Sequence, residues 1–202
     1  MTTLALTESD ERMLAGAEGE AARLAMGIIV ALAEISAAER LIDVTSAHID
    51  GCLYHGRVSL DFAERLAAAG ARVSIPATLN VGLVDLLHPE LYQGDPQTGA
   101  RGRRLMELYV GMGCRPTWTC APYQLPSRPA LGENVAWAES NAIVFANSVL
   151  GARTDRYGDF VDICAAITGR VPEAGLHRTE NRRGQIVFQL KEIPKPDRKS
   201  VV

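Results

Sequence analysis

Apolar positions recur at steps of three and four residues between positions 14 and 35, which predicts one long amphipathic helix near the start of the chain. Its apolar face is expected to consist of Leu14, Ala17, Ala21, Leu24, Ile28, Leu32 and Ile35. Thr7 precedes an acidic first turn and is the expected N-cap. Three glycines interrupt the pattern, and we interpret Gly16, Gly19 and Gly27 as points of close packing against another element.

Short apolar runs bounded by glycine and proline predict strands between further helices. The predicted elements are a strand over 41–48, a helix over 59–69 that stops at Gly70, a strand over 71–75, a loop over 95–102, a helix over 103–112, an extended segment over 115–123, a loop over 125–132, helical or mixed structure over 135–150 and 157–168, and a strand over 185–190. This alternation predicts an α/β fold with a largely parallel sheet flanked by helices.

The composition is that of an ordinary globular protein: 202 residues, of which 47% are hydrophobic and 22% charged. The net charge of -3 and the lack of a basic block argue against nucleic acid or an anionic membrane as a partner. The first residues do not form a signal peptide, and the apolar run over 24–35 is too short for a membrane span, so a cytoplasmic protein is expected. Residues 1–190 are expected to fold, with 191–202 as a polar tail.

The four cysteines do not form C-x-x-C pairs, so a zinc site is not expected, and disulfides are not expected without a secretory signal. A buried thiol is the default interpretation of each, because free cysteine behaves as a small hydrophobe. Cys120 differs in lying within PTWTCAPY at 116–123, where two prolines stiffen the backbone. Whether Cys120 fills the core or binds a ligand stays open on these grounds.

Polar residues concentrate in three segments more than packing requires. SAHIDGCLYHG at 46–56 and PTWTCAPY are two of them, and the third is the run 133–160. Polar residues interrupt an otherwise apolar pattern in that run at Glu139, Ser140, Asn141, Asn147, Ser148, Arg153 and Arg156. Because buried polar groups must be hydrogen-bonded, their number predicts a lined cavity. Singly, each has a simpler explanation as a solvated histidine, a turn, an asparagine cap or a surface charge; together they favour a site.

At these segments the chain resembles the aconitase X family. The resemblance is carried by PATLNVGLVD at 76–85, MGCRPTWTCAPY at 112–123, GENVAWAESNAIVFANSVLGARTDRYGDF at 132–160, AAITGRVPEAGLH at 165–177 and ENR at 180–182. It extends over nearly all of the chain up to about residue 190. The AWAESNAIVFANSVLGART part is long and distinctive, which makes the resemblance far more specific than a short cysteine or glycine motif.

The resemblance implies an aconitase-like α/β fold and a hydro-lyase that uses an iron–sulfur cluster of the 2Fe-2S or 4Fe-4S type. An iron that is not fully ligated by cysteine acts as a Lewis acid on the substrate hydroxyl. Family members dehydrate cis-3-hydroxy-L-proline in bacteria and mevalonate 5-phosphate in archaea. We expect the first substrate, because SAHIDGCLYHG and TWTCAPY are more similar to the bacterial type. Arg101, Arg103 and Arg104 keep the phosphorylated substrate open.

The resemblance assigns one site residue, and the polar segments supply the other candidates. The cysteine of the family's T-C-x-P-Y motif corresponds to Cys120, the expected cluster ligand, and Cys52 is the second candidate, whereas Cys164 belongs to the core. The expected catalytic residues are Glu139, Ser140 and His55. The expected substrate-binding residues are Asn141, Ser148, Arg153, Tyr123 and His48.

Family members continue well beyond the matched region, so the resemblance implies that this chain is incomplete. The remaining cluster ligands are expected in a missing C-terminal half. A smaller swivelling domain, fused or present as a separate subunit, is expected to supply a serine base. A non-catalytic subunit that binds a partner and holds no cluster is the alternative from a different functional class.

Overall fold

A computed structural model describes residues 4–184, 186–187 and 189 of the chain. Its strands are β1 (Leu41–Asp43), β2 (Ala47–Ile49), β3 (Ala77–Leu79), β4 (Ala136–Trp137) and β5 (Arg170–Pro172). The central sheet is parallel and has the order β3-β2-β4, while β1 and β5 form a separate antiparallel pair. The predicted α/β fold with a parallel sheet flanked by helices is therefore confirmed.

The helices surround this sheet in layers. They are α1 (Glu8–Leu14), α2 (Glu20–Ile35), α3 (Arg57–Ala68), α4 (Pro96–Gly111), α5 (Ser140–Phe145) and α6 (Val161–Thr168), with a π-helix (Ala146–Leu150) continuing α5. Short 3₁₀ turns lie at Pro89–Leu91, Pro122–Gln124, Gly175–His177 and Thr179–Asn181. Helix α6 packs against β2 and β4, α2 packs against α6 and β5, and α3 packs against α4. None of the helices described is both long and apolar enough to cross a lipid bilayer.

The core lies between the parallel sheet and its helices. All three residues of the central strand β2 are buried, as expected for a strand covered on both faces. Ile29 of α2, Ile49 of β2 and Ile163 of α6 have no exposed surface. The N-terminal helix is tied to the far end of the chain by a buried ion pair, in which Arg170 Nε lies 2.9 Å from Asp10 Oδ1.

The prediction of one long helix over residues 14–35 is wrong. The chain forms α1 and α2, because Gly16 at φ +82° and Gly19 at φ +100° adopt left-handed conformations that end one helix and precede the next. These glycines therefore serve backbone geometry rather than close packing, and Gly27 has open space around it. The buried face of α2 is Ala21, Ala25, Met26, Ile29 and Ala33, whereas Ile35 is 84% exposed. Thr7 caps α1 as predicted, with its hydroxyl accepting from Asp10 N at 3.2 Å.

Two strand predictions also require correction. The predicted strand 41–48 is divided into β1 and β2, which belong to different sheets. The predicted strand 71–75 is absent, since the main chain there bonds irregularly, as Val73 N to Met112 O and Ser74 N to Ala166 O. The strand begins instead after Pro76, whose carbonyl accepts from Ala47 N at 2.9 Å. Proline has no N–H to donate, which places it at the entry of a strand rather than within one.

Helix α4 begins seven residues earlier than the predicted start at residue 103. Asp95 caps it by accepting from Thr98 N at 2.7 Å, and Pro96 occupies the first helical position. The two glycines that indicated a loop allow close packing instead. A Cβ at Gly99 would lie 2.8 Å from the Tyr92 ring, and one at Gly102 would lie 2.9 Å from Leu83.

The remaining predictions differ less from the structure. Helix α3 corresponds to the predicted helix 59–69, and Gly70 follows it with φ +79° as expected for a C-terminal stop. Residues 125–132 contain no helix or strand, as predicted. The predicted strand 185–190 and the predicted tail 191–202 lie outside the continuously described residues.

Candidate functional site

Each strand of the parallel sheet is followed by a polar side chain at the same edge. Asp50 follows β2 directly, Asn80 follows β3 directly, and Glu139 comes two residues after β4. In open α/β sheets, ligands bind in the crevice outside the carboxyl ends of the strands. This edge, defined by Asp50, Asn80 and Glu139, is therefore the candidate site.

A hydrogen bond joins the ends of the two neighbouring strands β2 and β3. The Asn80 amide donates through Nδ2 to Asp50 Oδ1, and Asn80 Oδ1 accepts from Val81 N at 2.8 Å. The main-chain N–H of Asn80 donates to Ile49 O at 3.0 Å. Because Asn80 is almost fully buried and engaged through three of its polar groups, the Asp50 carboxylate is held in a defined place.

Glu139 is held at the edge by the start of α5. Its carboxylate caps that helix by accepting from Ala142 N at 2.9 Å, and its side chain is half-buried. Burial raises the pKa of Glu139, the Ala142 and Asn141 N–H groups lower it in part, and the charge of Asp50 raises it further. A carboxyl group whose pKa is raised keeps its proton closer to neutral pH, which suits a general acid.

The segment before Cys120 runs beside β3 and delivers the cysteine to the same edge. Arg115 N donates to Ala77 O at 2.8 Å, Leu79 N to Arg115 O at 3.1 Å, and Thr119 N to Leu79 O at 3.3 Å. Trp118 has φ +46°, a left-handed conformation that is uncommon for an aromatic residue. Such strain persists where the surroundings impose it, often at functional sites.

Cys120 is the one half-buried thiol of the chain, since the other three cysteines are buried. Burial raises the pKa of the Cys120 thiol, and the charges of Glu139 and Asp50 raise it further. The thiol and the two carboxylates therefore share one local electrostatic field. A cation bound there would offset both negative charges and favour the thiolate.

The other cysteines have environments typical of protonated thiols. Cys52 Sγ lies 3.3 Å from Ile49 O and 3.2 Å from Asn80 O, to which it donates, and burial holds its pKa far above the ordinary value. Burial likewise raises the pKa of Cys114 to about 12. Cys164 has no exposed surface, which confirms its predicted place in the core. The predicted ligand Cys52 thus lies behind the edge, with its thiol directed at carbonyl groups.

The two histidines of SAHIDGCLYHG lie in opposite environments. His48 has no exposed surface, and its Nδ1 lies 2.8 Å from Thr78 Oγ1 on β3. Burial lowers the pKa of His48 to about 4, and the main chain of Thr119 offsets this only in part. His55 is exposed, with Nε2 at 3.6 Å from Asp159 Oδ2. The structure therefore places His48 within the sheet and His55 against the segment that precedes α6.

Three polar residues of the run 133–160 are satisfied by the chain itself, so they do not themselves indicate a lined cavity. Ser148 donates to Val144 O, and Asn147 Nδ2 donates to Ile143 O and Thr154 O. The Arg153 guanidinium donates to His177 O at 2.7 Å and to Thr179 Oγ1 at 2.9 Å. These contacts account for the polarity of Asn147, Ser148 and Arg153 without a ligand.

Three further predicted residues lie close to Glu139 or Cys120 in the chain. Ser140 and Asn141 are exposed in the first turn of α5, directly after Glu139. Tyr123 stacks on Phe145 of the same helix, with ring centroids 3.9 Å apart and an interplanar angle of 13°. Tyr123 thus fixes the PTWTCAPY segment to α5, so that the segments of Cys120 and Glu139 are held together.

The donor set tests whether the described residues fit an iron–sulfur cluster. Within residues 4–184, no three His, Cys, Asp or Glu side chains converge closely enough to hold a metal ion. Cys120 offers one accessible thiol, and Asp50 and Glu139 offer carboxylates whose charges reach it. The described residues therefore fit one corner of such a site and do not complete it.

Sequence reasoning missed Asp50 and Asn80 as site residues. The polar segment 46–56 includes Asp50 without giving it a role, and the predicted strand at 71–75 leaves Asn80 without a place at a strand end. With β3 at Ala77–Leu79, Asn80 becomes the first residue after a buried strand, as Asp50 is after β2. The available signal was a polar residue immediately after a short apolar run, repeated at both strands.

Comparison with known proteins identifies relatives over most of the chain. The family model described as Aconitase X first domain matches residues 3–180. The chain is 49% identical to the cis-3-hydroxy-L-proline dehydratase of Hypocrea jecorina (strain QM6a), over 96% of this chain and 33% of that protein. It is 48% identical to the protein of the same name from Pseudomonas aeruginosa, over 93% of this chain and 32% of that protein.

A second group of relatives and a solved structure agree with this match. The phosphomevalonate dehydratase large subunit of Thermococcus kodakarensis is 40% identical over 92% of this chain and 46% of that protein. The crystal structure of holo-form aconitase X from Thermococcus kodakaraensis superimposes with a TM-score of 0.80 at 41% identity, covering 89% of this chain and 45% of that one. The chain spans about a third of the length of the first relatives. The chain belongs to the aconitase X family and contains the first domain of that family.

Proposed function

We propose that this chain contributes the Asp50–Asn80–Glu139 edge and the Cys120 thiol to a hydro-lyase that dehydrates a small hydroxy acid. The observation that carries the proposal is the placement of two carboxylates after the parallel strands β2 and β4, with the half-buried Cys120 thiol on the segment that runs beside β3. Loss of water needs a group that protonates the departing hydroxyl and a group that removes the proton next to the carboxylate. The acidic edge supplies a carboxyl group that can protonate the departing hydroxyl.

The charge of this edge favours cis-3-hydroxy-L-proline over mevalonate 5-phosphate. Among the described residues, neither Asp50 nor Glu139 forms an ion pair with arginine or lysine. The uncompensated Asp50 carboxylate attracts the ring ammonium of a hydroxyproline and repels a phosphate. The relatives named cis-3-hydroxy-L-proline dehydratase are also more similar to this chain than the phosphomevalonate dehydratase large subunits.

Within the proposed reaction, Glu139 protonates the departing hydroxyl. Burial and the charge of Asp50 raise its pKa, which favours the protonated form that this role needs, and its cap on α5 fixes the position of the group. Asn80 orients Asp50 so that this carboxylate faces the substrate ammonium. Ser140 and Asn141 are exposed in the first turn of α5, directly after Glu139, and are proposed to contact the substrate there.

Cys120 is the proposed iron ligand of this chain. An iron–sulfur cluster bound there would supply Lewis acidity toward the substrate hydroxyl. The stiff Thr119–Cys120–Ala121–Pro122 backbone holds the thiol at the edge, and Thr119 Oγ1 accepts from Ala121 N at 3.0 Å. The carbonyl contacts of Cys52 disfavour its thiolate, so we assign the ligand role to Cys120 and test Cys52 beside it.

The remaining ligands and the base are proposed to come from outside this chain. The relatives are two to three times as long as the matched region, so further polypeptide is available to them. We propose a second segment with the other cluster cysteines and a smaller domain or subunit with a serine base. A partner-binding role without catalysis is the competing function.

The substrate assignment is tested with a complete dehydratase that contains this chain, assembled with its partner segments and reconstituted with iron and sulfide. We expect turnover of cis-3-hydroxy-L-proline and little of mevalonate 5-phosphate. Preferential turnover of the phosphorylated substrate would overturn the assignment. Absence of turnover of both substrates, with no iron retained after reconstitution, would favour the competing function of a non-catalytic partner.

The ligand assignment is tested by iron content of the same assembly. We expect Cys120→Ser to lose most of the bound iron, because serine is a poor ligand for iron in such clusters. Cys164→Ala is the matched control, since it removes a buried core thiol and should retain iron. Cys52→Ala is measured alongside. Retained iron in Cys120→Ser, or equal loss in Cys164→Ala, would contradict the assignment.

A further inference from the structure

A buried carboxylate lies directly behind the turn that follows β2. Asp162, in the first turn of α6, has no exposed surface. Its Oδ2 accepts from the main-chain N–H groups of Asp50 at 2.7 Å and Gly51 at 3.3 Å, and its Oδ1 accepts from Ile163 N at 2.7 Å. Three main-chain donors therefore engage both oxygens of this side chain.

The same turn is confined by packing. A Cβ at Gly51 would lie 3.2 Å from the Tyr109 hydroxyl and 3.9 Å from Asp162 Oδ1, so the turn fits closely between them. Tyr109 has no exposed surface, and its hydroxyl has no hydrogen-bond partner among the described residues. Phe160, two residues before Asp162, has φ +78°, an uncommon conformation that persists where its surroundings impose it. The turn and the start of α6 are therefore fixed against each other.

We propose that Asp162 is the positioning residue of the site. It holds the Asp50–Gly51 turn and thereby sets the place of the Asp50 carboxylate beside Asn80 and within the field of Glu139. Because Asp162 is fully buried, it acts through the main chain of the turn and does not touch a substrate. Only the expected effect on turnover rests on the proposed function; the effect on the turn is independent of it.

Asp162→Asn separates this role from simple packing. Asparagine has nearly the same shape, but one carboxylate oxygen becomes an NH₂ group. In either amide orientation that NH₂ faces a main-chain N–H, of Ile163 or of Asp50 and Gly51, so a donor meets a donor. The turn must then shift to restore its hydrogen bonds, and Asp50 moves with it.

The side-chain amide of Asn80 reports the position of Asp50 in ¹H–¹⁵N spectra of the 202-residue chain. In the wild type, the hydrogen bond to Asp50 displaces the chemical shifts of the Asn80 amide. The Asp50→Ala variant gives the chemical shifts of this amide in the absence of that hydrogen bond. We expect Asp162→Asn to move them most of the way to the Asp50→Ala position. The control is Asp10→Asn on helix α1, another fully buried carboxylate, which accepts a main-chain N–H from Thr7 at 3.0 Å and also pairs with Arg170. Unmoved signals in folded Asp162→Asn, or equal movement in Asp10→Asn, would overturn the proposal.

A measurement on the wild type keeps the proposal testable if Asp162→Asn does not fold. We expect scalar couplings across the hydrogen bonds from the Asp50 and Gly51 nitrogens to the Asp162 carboxyl carbon. Their absence, with such a coupling present between Thr7 and Asp10, would overturn the proposal.

Turnover of the complete dehydratase completes the test. We expect Asp162→Asn to lower turnover about 10-fold, the scale typical of residues that orient catalytic groups. If Asp162 acts through Asp50, the double variant with Asp50→Ala is no slower than Asp50→Ala alone. If turnover of the double variant falls by the product of the two single losses, the proposal is overturned. Full turnover in Asp50→Ala, with the spectroscopic result intact, would instead count against the proposed function of the edge.

Discussion

At the scale of single residues, the candidate site depends on groups whose ordinary chemistry is changed by their neighbours. The pKa of Glu139 is raised by burial and by Asp50, and the same carboxylates raise the pKa of Cys120. Residue type alone does not predict either pKa shift, because both shifts depend on neighbours that the fold brings to the same edge of the sheet. The site is thus defined by proximity rather than by a contiguous motif.

Glu139→Gln tests the proposed proton transfer. Glutamine keeps an oxygen that can accept from Ala142 N, so we expect the free energy of unfolding to change by less than about 1 kcal/mol. Turnover of the complete enzyme should fall about 100-fold or more, because an amide cannot exchange the proton. The measurements are steady-state kinetics and denaturant unfolding.

Glu133→Gln is the matched control for this substitution. Its carboxylate also accepts a main-chain N–H, from Ala130 at 2.6 Å, but it precedes β4 instead of following it. Turnover close to wild type is expected for Glu133→Gln. Comparable losses in both variants would show that Glu139 acts by supporting its loop and not by moving a proton.

At the scale of elements, the sequence predicts features that depend on residues adjacent in the chain. It does not predict features that depend on packing between distant segments. The Thr7 cap, α3 and its stop at Gly70 follow from residues adjacent in the chain. The strand at Ala77–Leu79 does not, since three residues are too few for a periodic signal and their burial comes from neighbouring strands. Gly99 and Gly102 likewise resemble helix breakers until Tyr92 and Leu83 are seen to pack against them.

The same division applies to the candidate site. The sequence predicts Cys120 through the motif of the family resemblance and Glu139 through the polar residues that interrupt an apolar run. Asp50, Asn80 and Asp162 could not be predicted together, since 30 residues separate Asp50 from Asn80 and 112 separate it from Asp162. Their association depends on the order of the strands and on the packing of α6, which no local pattern encodes.

The N-cap of α4 gives a prediction at the scale of elements. Asp95→Ala removes the acceptor of Thr98 N and Thr98 Oγ1, so we expect it to lower the free energy of unfolding by about 1 kcal/mol. Asp61→Ala is the control, because Asp61 forms only an exposed pair with Arg57 at 3.5 Å and should change stability by less than about 0.5 kcal/mol. Denaturant unfolding measures both, and equal changes would contradict the capping role.

At the scale of the whole molecule, buried histidines make stability depend on pH. Burial lowers the pKa of His177 to about 4, with smaller effects from Asp155, Arg153 and Arg182. In the unfolded chain its pKa is about 6.5, so the unfolded state binds the proton first as the pH falls. The stabilisation is therefore complete above pH 6.5 and is lost progressively between about pH 6.5 and 4.

His177→Gln should weaken this pH dependence. We expect about 2 kcal/mol less loss of unfolding free energy between pH 7 and pH 5 than in the wild type, from the difference between the two pKa values. Denaturant unfolding at both pH values gives the comparison. His88→Gln, which removes an exposed histidine, is measured as the control. If the free energy of unfolding of His177→Gln depends on pH as strongly as that of the wild type, His177 is not the source of this dependence.

The buried ion pair between Asp10 and Arg170 has a consequence for synthesis of the protein. On the ribosome, α1 is synthesised first, but Asp10 cannot pair with Arg170 until residue 170 has emerged. For the same reason, β1 cannot pair with β5 until that point. Such distant pairings are slow to form and leave strand edges open meanwhile. During translation the nascent chain therefore carries an unpaired β1 edge, which is where we expect chaperones to bind and newly made chains to associate wrongly.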